Sequence, residues 1–108
     1  SERSSFIVDL GNNCVILTKF TLKHISKDSC FLKGWSIEGS NDGKKFDLIQ
    51  SYSFDQPIFS VSNETKTFSV KDGKKYFKIL KITQTRENST NWNFCLAGLE
   101  IYGKLLQI

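Results

Sequence analysis

Residues 33–43 read Lys33-Gly34-Trp35-Ser36-Ile37-Glu38-Gly39-Ser40-Asn41-Asp42-Gly43, and the contrast between the two halves of this stretch decides the fold. In the first half, Trp35 and Ile37 alternate with Ser36 and Glu38, the period of two that sends successive side chains to opposite faces of a strand. The second half, Ser40 to Gly43, is made of residues that tolerate positive φ or bond back to their own backbone, the chemistry of a tight turn. A strand with one apolar face therefore runs straight into a tight turn. Trp35, in step with Ile37, is expected in the core.

Outward in both directions the same grammar repeats. Strands are expected near 6–10, 14–23, 33–39, 46–54, 64–70, 75–84 and 93–103, with turn residues recurring about every ten positions, the mark of an antiparallel sandwich or barrel. The sixth is irregular, because Phe77, Ile79, Leu80 and Ile82 do not share one parity; a bulge, or a strand covered on both faces, would produce that pattern. No window holds a helical period. The connections alternate in length. Gly11-Asn12-Asn13, Ser40–Gly43 and Lys71-Asp72-Gly73-Lys74 are short, whereas those near 24–32, 55–63 and 85–92 are long. Successive strands of an antiparallel sandwich reverse direction, so the tight turns gather at one pole and the long loops at the other. Long loops on a rigid scaffold are where binding concentrates.

Bulk properties narrow the function further. The 108 residues make one domain, 39% hydrophobic and 13% aromatic, which is a foldable composition. The balance of 15 basic and 11 acidic residues gives +4, but Lys44-Lys45 and Lys74-Lys75 fall in turns and form no long basic run, so nucleic acid is not an expected partner. A weak pull on acidic partners is consistent with that charge. No apolar run is long enough to span a bilayer. Cys14, Cys30 and Cys95 lack metal-ligand spacing, and with a single His no metal or other cofactor is expected. Buried free thiols in a reducing compartment fit these cysteines, and a Cys14–Cys95 or Cys30–Cys95 bridge stays open.

Five segments carry a family resemblance: FIVDLG (6–11), KFTLKH (19–24), IEGSNDG (37–43) followed by Phe46, FKILKITQT (77–85) and CLAGLEIYG (95–103). In this order they resemble the discoidin family, the C-type domains of coagulation factors V and VIII. The resemblance implies a jelly-roll β-sandwich of the galactose-binding-like type, in agreement with the strand pattern. Family members commonly carry a further amino-terminal segment and a terminal cystine that this sequence does not show. Both departures lean towards the family's intracellular branch, whose domains sit beside BTB domains or in ubiquitin-ligase assemblies and recognise proteins, in the cytoplasm or nucleus.

No arrangement in the chain promises catalysis. His24 has no nucleophile elbow near it, the phosphate-cradling glycine patterns are absent, and Glu100 stands among apolar residues of a strand. The long loops hold the candidates for binding instead. Loop 85–92 offers Arg86, Asn88, Asn91 and Trp92, planar donors beside an aromatic face, suited to sugar hydroxyls over a stacked ring or to a peptide with an apolar anchor. Trp92 tucked beneath its own loop is the competing reading. His24, Lys27 and Asp28 join from the loop at 24–32, either as contacts or as solvated loop residues; in sugar-binding relatives the matching loops flank the ligand. The expectation is a non-catalytic recognition module for a protein partner, with a galactose-type glycan on a secreted or surface protein as the alternative and membrane binding not expected.

Overall fold

The computed structural model describes residues 5–24, 33–54, 64–71, 73–85 and 96–107, without the side chains of His24, Leu96 and Ala97. Seven strands are present: β1 Ser5–Asp9, β2 Asn13–His24, β3 Gly34–Ser40, β4 Asp47–Ser53, β5 Thr65–Ser69, β6 Ile79–Gln84 and β7 Leu96–Gln107. They form two antiparallel sheets, one of four strands in the order β1-β6-β3-β4 and one of three in the order β5-β2-β7.

The sheets face each other across a single aromatic-rich core. Trp35, Phe20, Leu22, Ile37, Leu80 and Ile82 are sealed from solvent. The Trp35 indole stacks on Tyr52 at 4.8 Å between ring centroids and meets the edge of Phe68 from the other sheet at 4.9 Å. Phe20 adds an edge contact to Tyr52 at 5.5 Å. Tyr52 closes the gap with its one polar atom, donating from its hydroxyl to the carbonyl of Ser69 across the sandwich. Burial, which keeps the charged phenolate out of water, pushes the Tyr52 hydroxyl above its ordinary pKa. Truncation of a buried aromatic of this kind removes about 3–5 kcal/mol, so Trp35 is a keystone of the fold.

Two local features depart from simple alternation. Along β2 the residues of the core cluster are Val15 and Leu17, then Phe20 and Leu22; the parity changes because a bulge lies between Leu17 and Lys19. The extra residue, Thr18, gives its carbonyl to the amide of Val70 and its hydroxyl to the carbonyl of Tyr102. The second departure settles the mixed parity of the sixth segment, and neither a bulge nor two-sided cover is its cause. Phe77 forms an isolated bridge to Val15 of the three-stranded sheet, the chain bends at Lys78, and β6 then enters the four-stranded sheet with Leu80, Ile82 and Gln84 buried in strict alternation. One run of sequence thus serves two sheets, and its apolar residues follow two separate registers.

The seventh strand extends past the expected Gly103 to Gln107, pairing with the start of β2 from Lys104 opposite Ile16 to Gln107 opposite Asn13. That register also places Cys14, a buried free thiol, opposite Leu106. Leu96 lies at the other end of the same pair, opposite His24. Cys30 and Cys95, on which both expected bridges fall, lie outside the described residues.

Candidate functional site

The strand directions put all three long connections at one pole, and the pairings at their ends fix how they lie beside one another. The loop between β2 and β3 leaves the three-stranded sheet at His24 and enters the four-stranded sheet at Gly34. The loop between β6 and β7 makes the reverse crossing. Its start is tied to the first loop's end, with Gln84 opposite Trp35 and the Thr85 amide donating to the Gly34 carbonyl at 3.1 Å. Its end is tied to the first loop's start, with Leu96 opposite His24. The connection between β4 and β5 is anchored on the other flank by Ser53 opposite Gly34 and Thr65 opposite Lys23. Paired strands lie about 4.8 Å apart. The ends of the β2–β3 connection therefore stand between the ends of the other two.

The aromatic cluster lies just inside the strand ends at this pole. Trp35 stands one residue inside the pole, and Phe54, at the mouth beyond β4, lies 6.0 Å from it and is 40% exposed. Phe54 was not among the residues that the loop composition suggested. Its parity with the buried Tyr52, two positions before it, is the signal that would have found it: the inner face of a strand, continued past the last ladder bond, arrives at the mouth of the sandwich. The Trp35 indole nitrogen is buried without an acceptor among the described residues.

Of the residues expected to bind, the backbone of His24 is described. It ends β2 immediately after a register shift between Lys23 and His24, the kind of irregularity that re-aims a side chain at a sheet end. Lys27, Asp28, Arg86, Asn88, Asn91 and Trp92 lie outside the described residues, and so does the side chain of His24. What the framework shows is that the two segments bearing these residues start and finish as hydrogen-bonded neighbours.

The opposite pole shows what the Ser40–Gly43 turn does in physical terms. Ser40 Oγ accepts from the amides of Gly43 and Asp42 and donates to Asp42 Oδ1, which in turn accepts from the amides of Lys44 and Lys45 at 2.8 and 2.9 Å. These bonds, first those from the Lys45 and Lys44 amides, hold the Asp42 carboxyl below the ordinary carboxylate range. Asn41 reaches across to the next connection, donating to the Tyr76 carbonyl and accepting from the Lys78 amide. Gly43 supplies the positive φ of 75°. Asp9 clamps the Gly11 amide in the same way. Both motifs are turn clamps. Glu100, exposed on β7, accepts from the Tyr102 hydroxyl and raises that group's pKa, which is likewise a surface bond between neighbours. Among the described residues no group of three or more His, Cys, Asp or Glu could hold a metal, and no helix is long and apolar enough to cross a membrane.

The fold is that of the galactose-binding-like sandwiches, an all-β architecture of two antiparallel sheets that the chain shares with carbohydrate-binding modules. The C-terminal domain of a chitobiase from Bacteroides fragilis superposes with a TM-score of 0.74 at 15% identity, covering 99% of this chain and 67% of that one. CBM32-1 from a family 31 glycoside hydrolase of Clostridium perfringens gives 0.70 at 19% identity, over 92% and 68%. The module CpGH89CBM32-5 from Clostridium perfringens, solved in complex with GalNAc-β-1,3-galactose, gives 0.57 at 16% identity, over 96% and 64%. At the level of sequence, a BTB/POZ domain-containing protein of Arabidopsis thaliana is 26% identical over 110 residues; the match takes in 93% of this chain and 13% of that protein's length. No family model matches the chain.

Proposed function

We propose that the chain is a non-catalytic carbohydrate-binding module that holds a galactose-type glycan at the long-loop pole. The observation that carries this reading is the pairing of the β2–β3 and β6–β7 loops at both of their ends, on a fold shared with modules of which one was solved with GalNAc-β-1,3-galactose bound. Arg86, Asn88 and Asn91 would supply planar hydrogen-bond donors and acceptors to sugar hydroxyls, and Trp92 a face on which the pyranose ring stacks. His24, Lys27 and Asp28 would add polar contacts from the β2–β3 connection, and Phe54 an apolar edge. Within this fold we place the chain in the discoidin-type branch, on the five ordered segments.

A second reading keeps the same pole and changes the ligand. The Arabidopsis BTB/POZ relative matches 93% of this chain, which favours a protein-recognition module in a larger intracellular protein. The two readings separate in isothermal titration calorimetry with GalNAc-β-1,3-galactose. Glycan binding predicts a Kd between about 1 mM and 1 µM, or about −4 to −8 kcal/mol, weakened about tenfold or more by Trp92→Ala as a stacked ring is lost. Absence of heat across this disaccharide, galactose and N-acetylgalactosamine would reject the glycan reading and leave the protein partner.

A further inference from the structure

We propose that the tight-turn pole, opposite the glycan loops, carries a second binding site, which takes an acidic peptide segment through one inserted apolar side chain. The site is a cavity of about 320 Å³ between the edge of the four-stranded sheet and the connection that leads from β5 to β6. Its floor is apolar: Leu17 from β2, Ile49 from β4 and the ring of Phe77. Leu48, 62% exposed, extends that floor outward along β4. A volume at the lower end of the roughly 300–1,000 Å³ typical of ligand pockets suits a single large side chain and its surroundings better than a lipid acyl chain.

The rim is basic. Lys71, Lys74 and Lys75 surround the opening. Asp72 lies outside the described residues, and the one carboxylate on the opening among those described is Asp47, which lies 3.8 Å from Lys75 with both side chains well exposed. Such a pair is weak in solvent, and Lys71 and Lys74 make no ion pair among the described residues. Lys44 and Lys45 lie in the neighbouring turn, which the Asn41 bonds to Tyr76 and Lys78 tie to the same connection. Charge complementarity therefore selects an anionic partner. The wall of the cavity selects a peptide among anions, because Asp47–Ile49 belong to β4, which among the described residues is an edge strand with a single neighbour, β3. An extended peptide can pair with such an edge and drop an alternate side chain into the pocket; a lipid headgroup uses neither feature. The connection is held in place for this role: the Lys71 amide donates to Gln50 Oε1 at 2.9 Å, and Gly73 packs so closely on the Leu17 carbonyl that no Cβ fits between them. This site is independent of the glycan reading, since it shares no residue with the long-loop pole.

The test is an amide NMR titration of the labelled chain with the capped peptide acetyl-Glu-Asp-Phe-Glu-Asp-amide, and with the same peptide carrying Ser for Phe. The expected result is shifts confined to residues 47–49, 71 and 73–77. The double substitution K74E/K75E should weaken binding about tenfold, as reversal of rim charges does, and Leu48→Asp should weaken it without touching a lysine. All three positions are exposed, and retained amide dispersion checks the fold. The proposal is overturned if those amides do not move, or if the Ser peptide binds equally well. It is also overturned if phosphatidylserine vesicles perturb the same amides and the peptide does not.

Discussion

At the scale of single residues, the turn expected after Trp35 and Ile37 is held together by its own side chains. Ser40, Asn41 and Asp42 each spend their oxygens on main-chain amides, which explains why Ser-Asn-Asp-Gly follows the strand without implying a ligand there. The consequence for pH can be worked out. The Asp42 carboxyl titrates below its ordinary range when folded, so the stabilisation it gives is present above the unfolded pKa, ~4, and is lost as pH falls through the lower folded value. Chemical denaturation at a series of pH values should show Asp42→Asn destabilised relative to the parent at neutral pH, with the gap closing in acid. A gap that does not vary with pH would mean the bonds contribute through geometry alone. Gly39 offers a test of packing. A Cβ there would sit inside the ring of Phe77, itself buried at 6% exposure. Gly39→Ala is expected to cost about 1–3 kcal/mol through overpacking, read as a lower denaturation midpoint; an unchanged midpoint would show that Phe77 can swing away freely.

At the scale of elements, the period of two made the strands legible, and the places where it misled share one cause. Wherever a strand keeps to one sheet without interruption, as β6 does with Leu80, Ile82 and Gln84, its parity reads directly as burial. Where the chain inserts a residue at Thr18, or changes sheets at Lys78, two correct registers are concatenated and appear as noise. The extension of β7 was hidden for another reason: Leu105 and Leu106 are both exposed, at 63% and 46%, so no alternation marks the end of that strand. The candidate site was legible as a pole, because alternating loop lengths follow from chain reversal. It was not legible as a set of contacts, because loop residues answer to the ligand and to one another and obey no repeating period. Element position also predicts dynamics. Among the described residues β2, β3 and β6 have neighbours on both sides, whereas β1, β4, β5 and β7 are edges. Native-state amide exchange should be slowest in β2, β3 and β6 and distinctly faster in β5, which has five residues and one partner. Equal protection in β5 and β3 would mean that the sandwich opens as a single unit.

At the scale of the whole molecule, the sandwich separates two kinds of surface by the length of its strands. One pole gathers the ends of three sheet-to-sheet connections beside an aromatic cluster of Trp35, Tyr52 and Phe54, and the other gathers tight clamped turns, lysines and the pocket beside β4. Under the two proposals a glycan and a peptide would bind at opposite poles, neither blocking the other. The measurement that tests the central claim most directly is an amide NMR titration with GalNAc-β-1,3-galactose. The account predicts shifts clustered in residues 24–34 and 84–96, with Phe54 among them, and still amides in the turns at 10–12 and 41–46. Silence throughout, or shifts gathered at those turns, would contradict it.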